Sequence, residues 1–191
     1  KGTHHMLNCT LVGAPVDCGS SQLGCVMGPD AFRTAGLKSA IEALGYIVDD
    51  TGNVAAQTPK VTPHHNEAIH HLSEIVGWAT ALEDAAYNAI KTSDLPIFLG
   101  GDHALSIGTV PGVARYAAEN GRTQFVLWLD AHPDIHSPLT TTSGNLHGTP
   151  VAYFTGQAGF ENVGRYPFFS SFNCRLATST SAFASIKSGD S

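Results

Sequence analysis

The residues best equipped for chemistry fall in two short stretches, Gly100-Gly101-Asp102-His103 and Asp130-Ala131-His132-Pro133-Asp134-Ile135-His136. Imidazole and carboxylate groups gathered without thiolate form a donor set for manganese, iron, cobalt or zinc, and do not choose among them. In an extended turn after a strand, Asp130, His132 and Asp134 alternate at period two, so their side chains reach the same side of the backbone. His103, from a neighbouring strand end, supplies a fourth ligand, and Asp130 has two oxygens with which to bridge two ions. Two divalent ions held about 3.5 to 4 Å apart lower the pKa of a shared water, which makes hydrolysis the natural reaction. The joint pattern points to a metal site, because buried charges without partners are too costly to keep. Asp102 is read as support for an imidazole from behind, with a plain turn residue as the alternative.

Elements must bring these stretches together. Each follows an apolar run read as a buried strand, Leu95 to Leu99 and Gln124 to Leu129. Upstream, Leu7 to Val12 reads as a strand that enters the Gly-rich loop Gly13 to Gly28. Pro29 suits a helix first turn, and Ala31, Ala35, Leu37, Ile41 and Leu44 mark one amphipathic helix closed by Gly45. Tyr46 to Asp50 reads as a second strand. Ile69, Leu72, Val76, Ala79, Leu82, Ala86 and Ile90 recur at helical spacing and predict a long helix over 65–92, with His64, His65, His70 and His71 on or near its polar face. Leu105 to Asn120 reads as a further helix ended by Gly121. This alternation predicts a three-layer α/β/α fold with a mainly parallel sheet. Ligands in such folds bind beyond the carboxyl ends of the strands, where both motifs fall.

Composition narrows the partners. The chain has 191 residues, a formal net charge of −6, 42% hydrophobic residues and 14% charged ones, which suits one domain with a sizeable core and argues against disorder. Without a Lys/Arg cluster it offers no electrostatic footprint for nucleic acid or an anionic membrane, and its apolar runs fall far short of the roughly 20 residues that span a bilayer. A small-molecule substrate is expected. Cys9, Cys18, Cys25 and Cys174 show no zinc-like spacing and read as reduced thiols of a cytoplasmic protein. Residues 1–5 read as a remnant ahead of Met6. Gly13 to Gly28 has neither the Lys of a P-loop nor dinucleotide spacing and is expected to form an active-site rim. Ser106 lies too far from Leu99 for a nucleophile elbow.

The two motifs, followed by Pro138-Leu139-Thr140-Thr141-Thr142-Ser143-Gly144-Asn145-Leu146-His147-Gly148, closely resemble the arginase branch of the ureohydrolases. Gly13-Ala14-Pro15 and Gly28-Pro29 resemble the family's amino-terminal strand and first helix, so the likeness covers about Leu7 to Phe160. The resemblance implies two manganese ions, one held by His103, Asp130 and Asp134, the other by Asp130 and His132. It implies that His147 shuttles a proton to the leaving amine, a task suited to an imidazole near its free pKa, and counts Asp134 with it among the catalytic residues. Ser143 and Asn145 match residues that hold the α-carboxylate of the amino acid, and both carry hydrogen-bond donors. The implied reaction is hydrolysis of the guanidinium group of L-arginine to L-ornithine and urea, in a homo-oligomer, trimer or hexamer.

The chain also departs from the pattern. His136 stands where arginases usually have Asn at the carboxylate site, which bears on preference between arginine and agmatine. The family's later strand end with two further aspartates has no counterpart, since the only acids after Asp134 are Glu161 and Asp190. Residues 6–160 are therefore read as the catalytic core and 161–191, rich in Ser, Thr and Phe, as a non-matching tail that leaves the fold incomplete at its carboxyl end. Too few carboxylates remain to neutralise two divalent ions, so the chain is expected to hold one ion loosely, or none, with impaired hydrolysis. The alternatives are a catalytically silent arginase-like domain that acts as a binding or assembly partner, and a related ureohydrolase such as an agmatinase.

Overall fold

The computed structural model describes residues 6–60, 62–161, 163, 174–178 and 183–184. Residues 1–5 and most of the 161–191 segment, Phe168, Phe169 and Phe172 included, lie outside the described residues. Strand β1 (Asn8–Ala14) is central in a parallel sheet, flanked by β2 (Ile47–Asn53) on one side and β3 (Leu95–Gly100) on the other. Its register runs Cys9 against both Val48 and Leu95, and ends at Ala14 opposite Gly100. Period-two alternation lets β1 bury both faces. Cys9 and Leu11 pack with Ile41, Val48 and Leu99, whereas Ala14 belongs to the larger cluster with Leu72, Ile75, Leu82 and Ile107. Helices therefore cover both faces, as the sequence predicts.

Helix α3 (Leu72–Thr92) buries Leu72, Ile75, Ala79, Leu82, Ala86 and Ala89, a single stripe at three- and four-residue spacing that packs on β1, β3 and α4 (Ser106–Glu119). Each fully buried leucine or isoleucine on such a stripe contributes about 1.5–3 kcal/mol of transfer free energy. The helix starts later than its periodicity predicts. His71 has φ 54°, and the preceding residues hydrogen-bond to a distant loop instead of continuing the helix, so His64, His65 and His70 do not lie on its polar face. The single helix expected between Pro29 and Leu44 is also two, α1 (Gly28–Thr34) and α2 (Leu37–Ala43), because Gly36 turns the chain at φ 83°.

Strand β4 (Gln124–Trp128) does not ladder with β3. It pairs in parallel with β5 (Cys174–Thr178), which in turn pairs antiparallel with β6 (Phe183–Ala184), so the strands form two three-stranded sheets. Val126 and Trp128 of β4 are buried, while Phe125 and Leu127 point outward and are more than half exposed. The short helix α5 (Pro150–Phe154) closes the larger cluster with Val151, Ala152, Tyr153 and Phe154. Among the described residues no helix is long and apolar enough to cross a membrane.

Candidate metal centre

Strands β3 and β4 deliver the two motifs to neighbouring positions at their carboxyl ends. Beyond β3 the chain makes a short 3-10 turn, His103–Leu105, capped by Asp102. The Asp102 carboxylate is buried, and both oxygens are used on backbone: Oδ1 accepts from Ala104 N at 2.8 Å and Oδ2 from Gly19 N at 2.7 Å. It therefore holds the turn and the Gly-rich loop and does not bond to an imidazole, which corrects the reading from sequence. A second contact of Gly19 places the Gly-rich loop at the rim of the site, since Gly19 O accepts from His147 N at 2.9 Å.

The His103 ring lies against Trp128 of β4, with centroids 4.8 Å apart and planes 24° from parallel, and Trp128 rests in turn on Phe154. Stacking fixes the plane of the imidazole and so the direction of its nitrogens. Neither spacing nor motif singles out Trp128 in the sequence. The available signal was its inward phase on β4, two residues ahead of Asp130.

The turn after β4 differs from the extended ribbon that the period-two spacing of Asp130, His132 and Asp134 predicts. Asp130 Oδ1 accepts from His132 N at 2.8 Å, and Asp134 sits at φ 47°, in the left-handed region that aspartate tolerates better than most residues. The Asp134 carbonyl is fixed by Val151 N at 3.0 Å and Ala152 N at 3.3 Å, so the first turn of α5 pins this conformation. Its carboxylate then faces His103. Nδ1 of His103 stands 2.9 Å from Asp134 Oδ2 and 3.3 Å from Asp130 Oδ2, and one ligand atom from each of the three residues lies within 4.8 Å of the others. The His132 side chain is 81% exposed and stays outside this triad, although its Nδ1 is 3.7 Å from the other Asp130 oxygen.

Electrostatics at the triad favours a cation. Burial pushes the Asp134 carboxyl up from its ordinary value; His103 opposes this, Asp130 adds to it, and His147 and His132 oppose it. Asp134 Oδ2 is buried without an aligned hydrogen bond, even though His103 Nδ1 is only 2.9 Å away. Proximity without donor–acceptor alignment leaves that oxygen undersatisfied, an arrangement that a bound positive charge would complete. Oxygen and imidazole donors around one point fit a divalent first-row metal.

The remaining candidates lie on the stretch between Asp134 and α5. His147 sits in a short 3-10 turn, Leu146–Gly148, half-buried and within electrostatic reach of Asp134. Ser143 is exposed and its Oγ accepts from Asn145 N at 3.3 Å; Asn145 is half-buried. His136 is exposed, with Nδ1 3.5 Å from Thr140 Oγ1. The structure thus gathers His103, Asp130 and Asp134 tightly, sets His132 and His147 beside them, and leaves His136 and Ser143 at the surface.

Known proteins resemble the chain over most of its length. The family model described as "Arginase family" matches residues 7–174. An arginase of Agrobacterium fabrum is 54% identical over 163 residues, covering 84% of this chain and 49% of the relative. One of Brucella suis is 55% identical over 155 residues, covering 81% and 50%. The crystal structure of arginase from Bacillus cereus superposes with a TM-score of 0.71 at 30% identity, over 91% of this chain and 58% of that one. The chain spans about half the length of the curated relatives it matches. With a match that runs through both strand-end motifs and the segment leading to His147, this chain belongs to the arginase family.

Proposed function

We propose that the chain carries a manganese site for hydrolysis of the guanidinium group of L-arginine to L-ornithine and urea, as its arginase-named relatives suggest. The observation that carries the proposal is the convergence of His103, Asp130 and Asp134 at the ends of two strands, with Asp134 Oδ2 buried and unaligned. These three residues would hold one ion, and Asp130 with His132 a second. Bound there, manganese supplies Lewis-acid charge and lowers the pKa of water. His147, on the rim beside Asp134, would pass a proton to the leaving amine; its backbone N–H is held by the Gly19 carbonyl. Ser143, Asn145 and His136 would receive the α-carboxylate through hydrogen-bond donors, which would align the guanidinium with the metal side of the pocket.

Urea release from manganese-loaded protein is the test, with L-arginine and agmatine compared. Arginine-dependent urea that falls at least a hundredfold in His147→Ala and in Asp130→Asn is the expected result. Release from agmatine but not from L-arginine would shift the substrate assignment, and no urea from folded, loaded protein would overturn the proposal.

A further inference from the structure

The loop ahead of α3 does work that its sequence does not advertise. Residues 62–71 cross the segment Pro138–Asn145, and the two are tied at both ends. Asn66 Nδ2 donates to Pro138 O at 2.9 Å and to Thr141 O at 3.4 Å, while its Oδ1 accepts from Ala68 N at 3.0 Å. The amide orientation is over-determined, because a flipped Asn66 would turn an oxygen toward two carbonyls and an NH2 toward an N–H. His70 N donates to Gly144 O at 3.1 Å. Gly144 has φ 71°, and a Cβ there would stand 1.7 Å from Ala68 O, so the two segments touch backbone to backbone. Among the described residues, Asn66 is the side chain of 62–71 that hydrogen-bonds to this segment.

We infer that Asn66 is a positioning residue for substrate binding: it clamps the Pro138–Asn145 segment and thereby sets where Ser143 and Asn145 present their donors. This rests on the proposed function, in which those two residues take the α-carboxylate. The segment has internal order of its own, with Ser137 O accepting from Thr140 N at 3.0 Å and Thr141 N at 2.9 Å, and Thr141 Oγ1 accepting from Gly144 N at 3.2 Å. None of these bonds fixes the segment relative to the rest of the fold. Asn66 and the His70 backbone do. The hydrogen bonds of Asn66 among the described residues go to Pro138, Thr141, Ala68, His64 and Ile69 and to none of the metal triad or His147, so its loss should weaken carboxylate recognition and leave the chemical step nearly alone.

The test compares wild-type protein with Asn66→Asp and Asn66→Ala, all loaded with manganese, by hydrogen exchange and by steady-state urea release from L-arginine. Asp is nearly isosteric and lacks the donors; Ala removes the group. The expected result is faster exchange across Pro138–Asn145 with α3 and α4 unchanged, and a KM for L-arginine raised about tenfold with kcat within about threefold. Unchanged exchange in that segment overturns the inference, as does a fall in kcat with KM intact. Absence of urea from the wild-type protein counts against the proposed function instead, and the clamp then stands or falls on the exchange data.

Discussion

Asp134 reaches His103 because its backbone is bent into the left-handed region and locked there by the amides of Val151 and Ala152. That bend separates the three donors of one turn into two sets: Asp130 and Asp134 face His103, while His132 looks outward. Metal affinity should divide along the same line. His103→Ala and Asp134→Asn are expected to weaken binding of the first manganese ion by about a hundredfold or more, whereas His132→Ala leaves that first binding step within about threefold. Calorimetric titration of manganese into each variant checks this, and equal losses at all three positions would show that the turn rearranges on binding. The identities of these residues were legible in the sequence because they sit in contiguous motifs after apolar runs. The direction each one faces was not, since it depends on amides of α5 and on the Trp128 ring, partners that local spacing does not encode. Asp102 shows the same limit: its neighbour His103 suggested a role at the imidazole, yet its partners are Gly19 and Ala104.

At the scale of elements, α3 and α4 form the slab on which β1 and the site rest, and their closeness depends on two glycines of α4. A Cβ at Gly108 would lie 2.6 Å from Ala79 O, and one at Gly112 only 2.3 Å from Glu83 O. Glu83, buried on α3, also receives Arg115 Nη1 of α4 at 2.8 Å, a charged contact that needs the same short separation. Helix propensity alone favours Gly112→Ala by about 1 kcal/mol. Backbone cannot give way as a flexible side chain can, so overpacking is expected to reverse the sign and destabilise the protein by about 2 kcal/mol. Chemical denaturation decides between the two effects; a stabilised Gly112→Ala protein would show that the helices can slide apart without loss. Periodicity made both helices legible to within a few residues along most of their length. It failed at 65–71, where Ile69 continues the apolar spacing but Asn66 and the His70 backbone bond to the Pro138–Asn145 segment. Tertiary hydrogen bonds there outcompete a helical phase that apolar spacing alone supports.

Among the described residues the balance of charge bears on what the site can hold. Two divalent ions would bring four positive charges to one pocket, and such charges are held at close range by anionic ligands more than by distant ones. Among the described residues the metal cluster contains two carboxylates, Asp130 and Asp134; the buried Asp102 carboxylate is committed to backbone amides and faces Gly19 and Ala104. The count available to metal is thus one lower than the three carboxylates of the two motifs suggest. One manganese ion with His103, Asp130 and Asp134 is a nearly neutralised set, whereas a second, resting on the exposed His132 and a shared Asp130 oxygen, leaves a net positive pocket open to water. We expect the protein, dialysed exhaustively after loading, to retain no more than one manganese ion per chain by elemental analysis. A second should appear only at concentrations about a hundredfold or more higher, a gap of roughly 2.7 kcal/mol. Two ions retained per chain after dialysis would mean that carboxylates other than Asp130 and Asp134 reach the site, and would remove the electrostatic reason for expecting impaired hydrolysis.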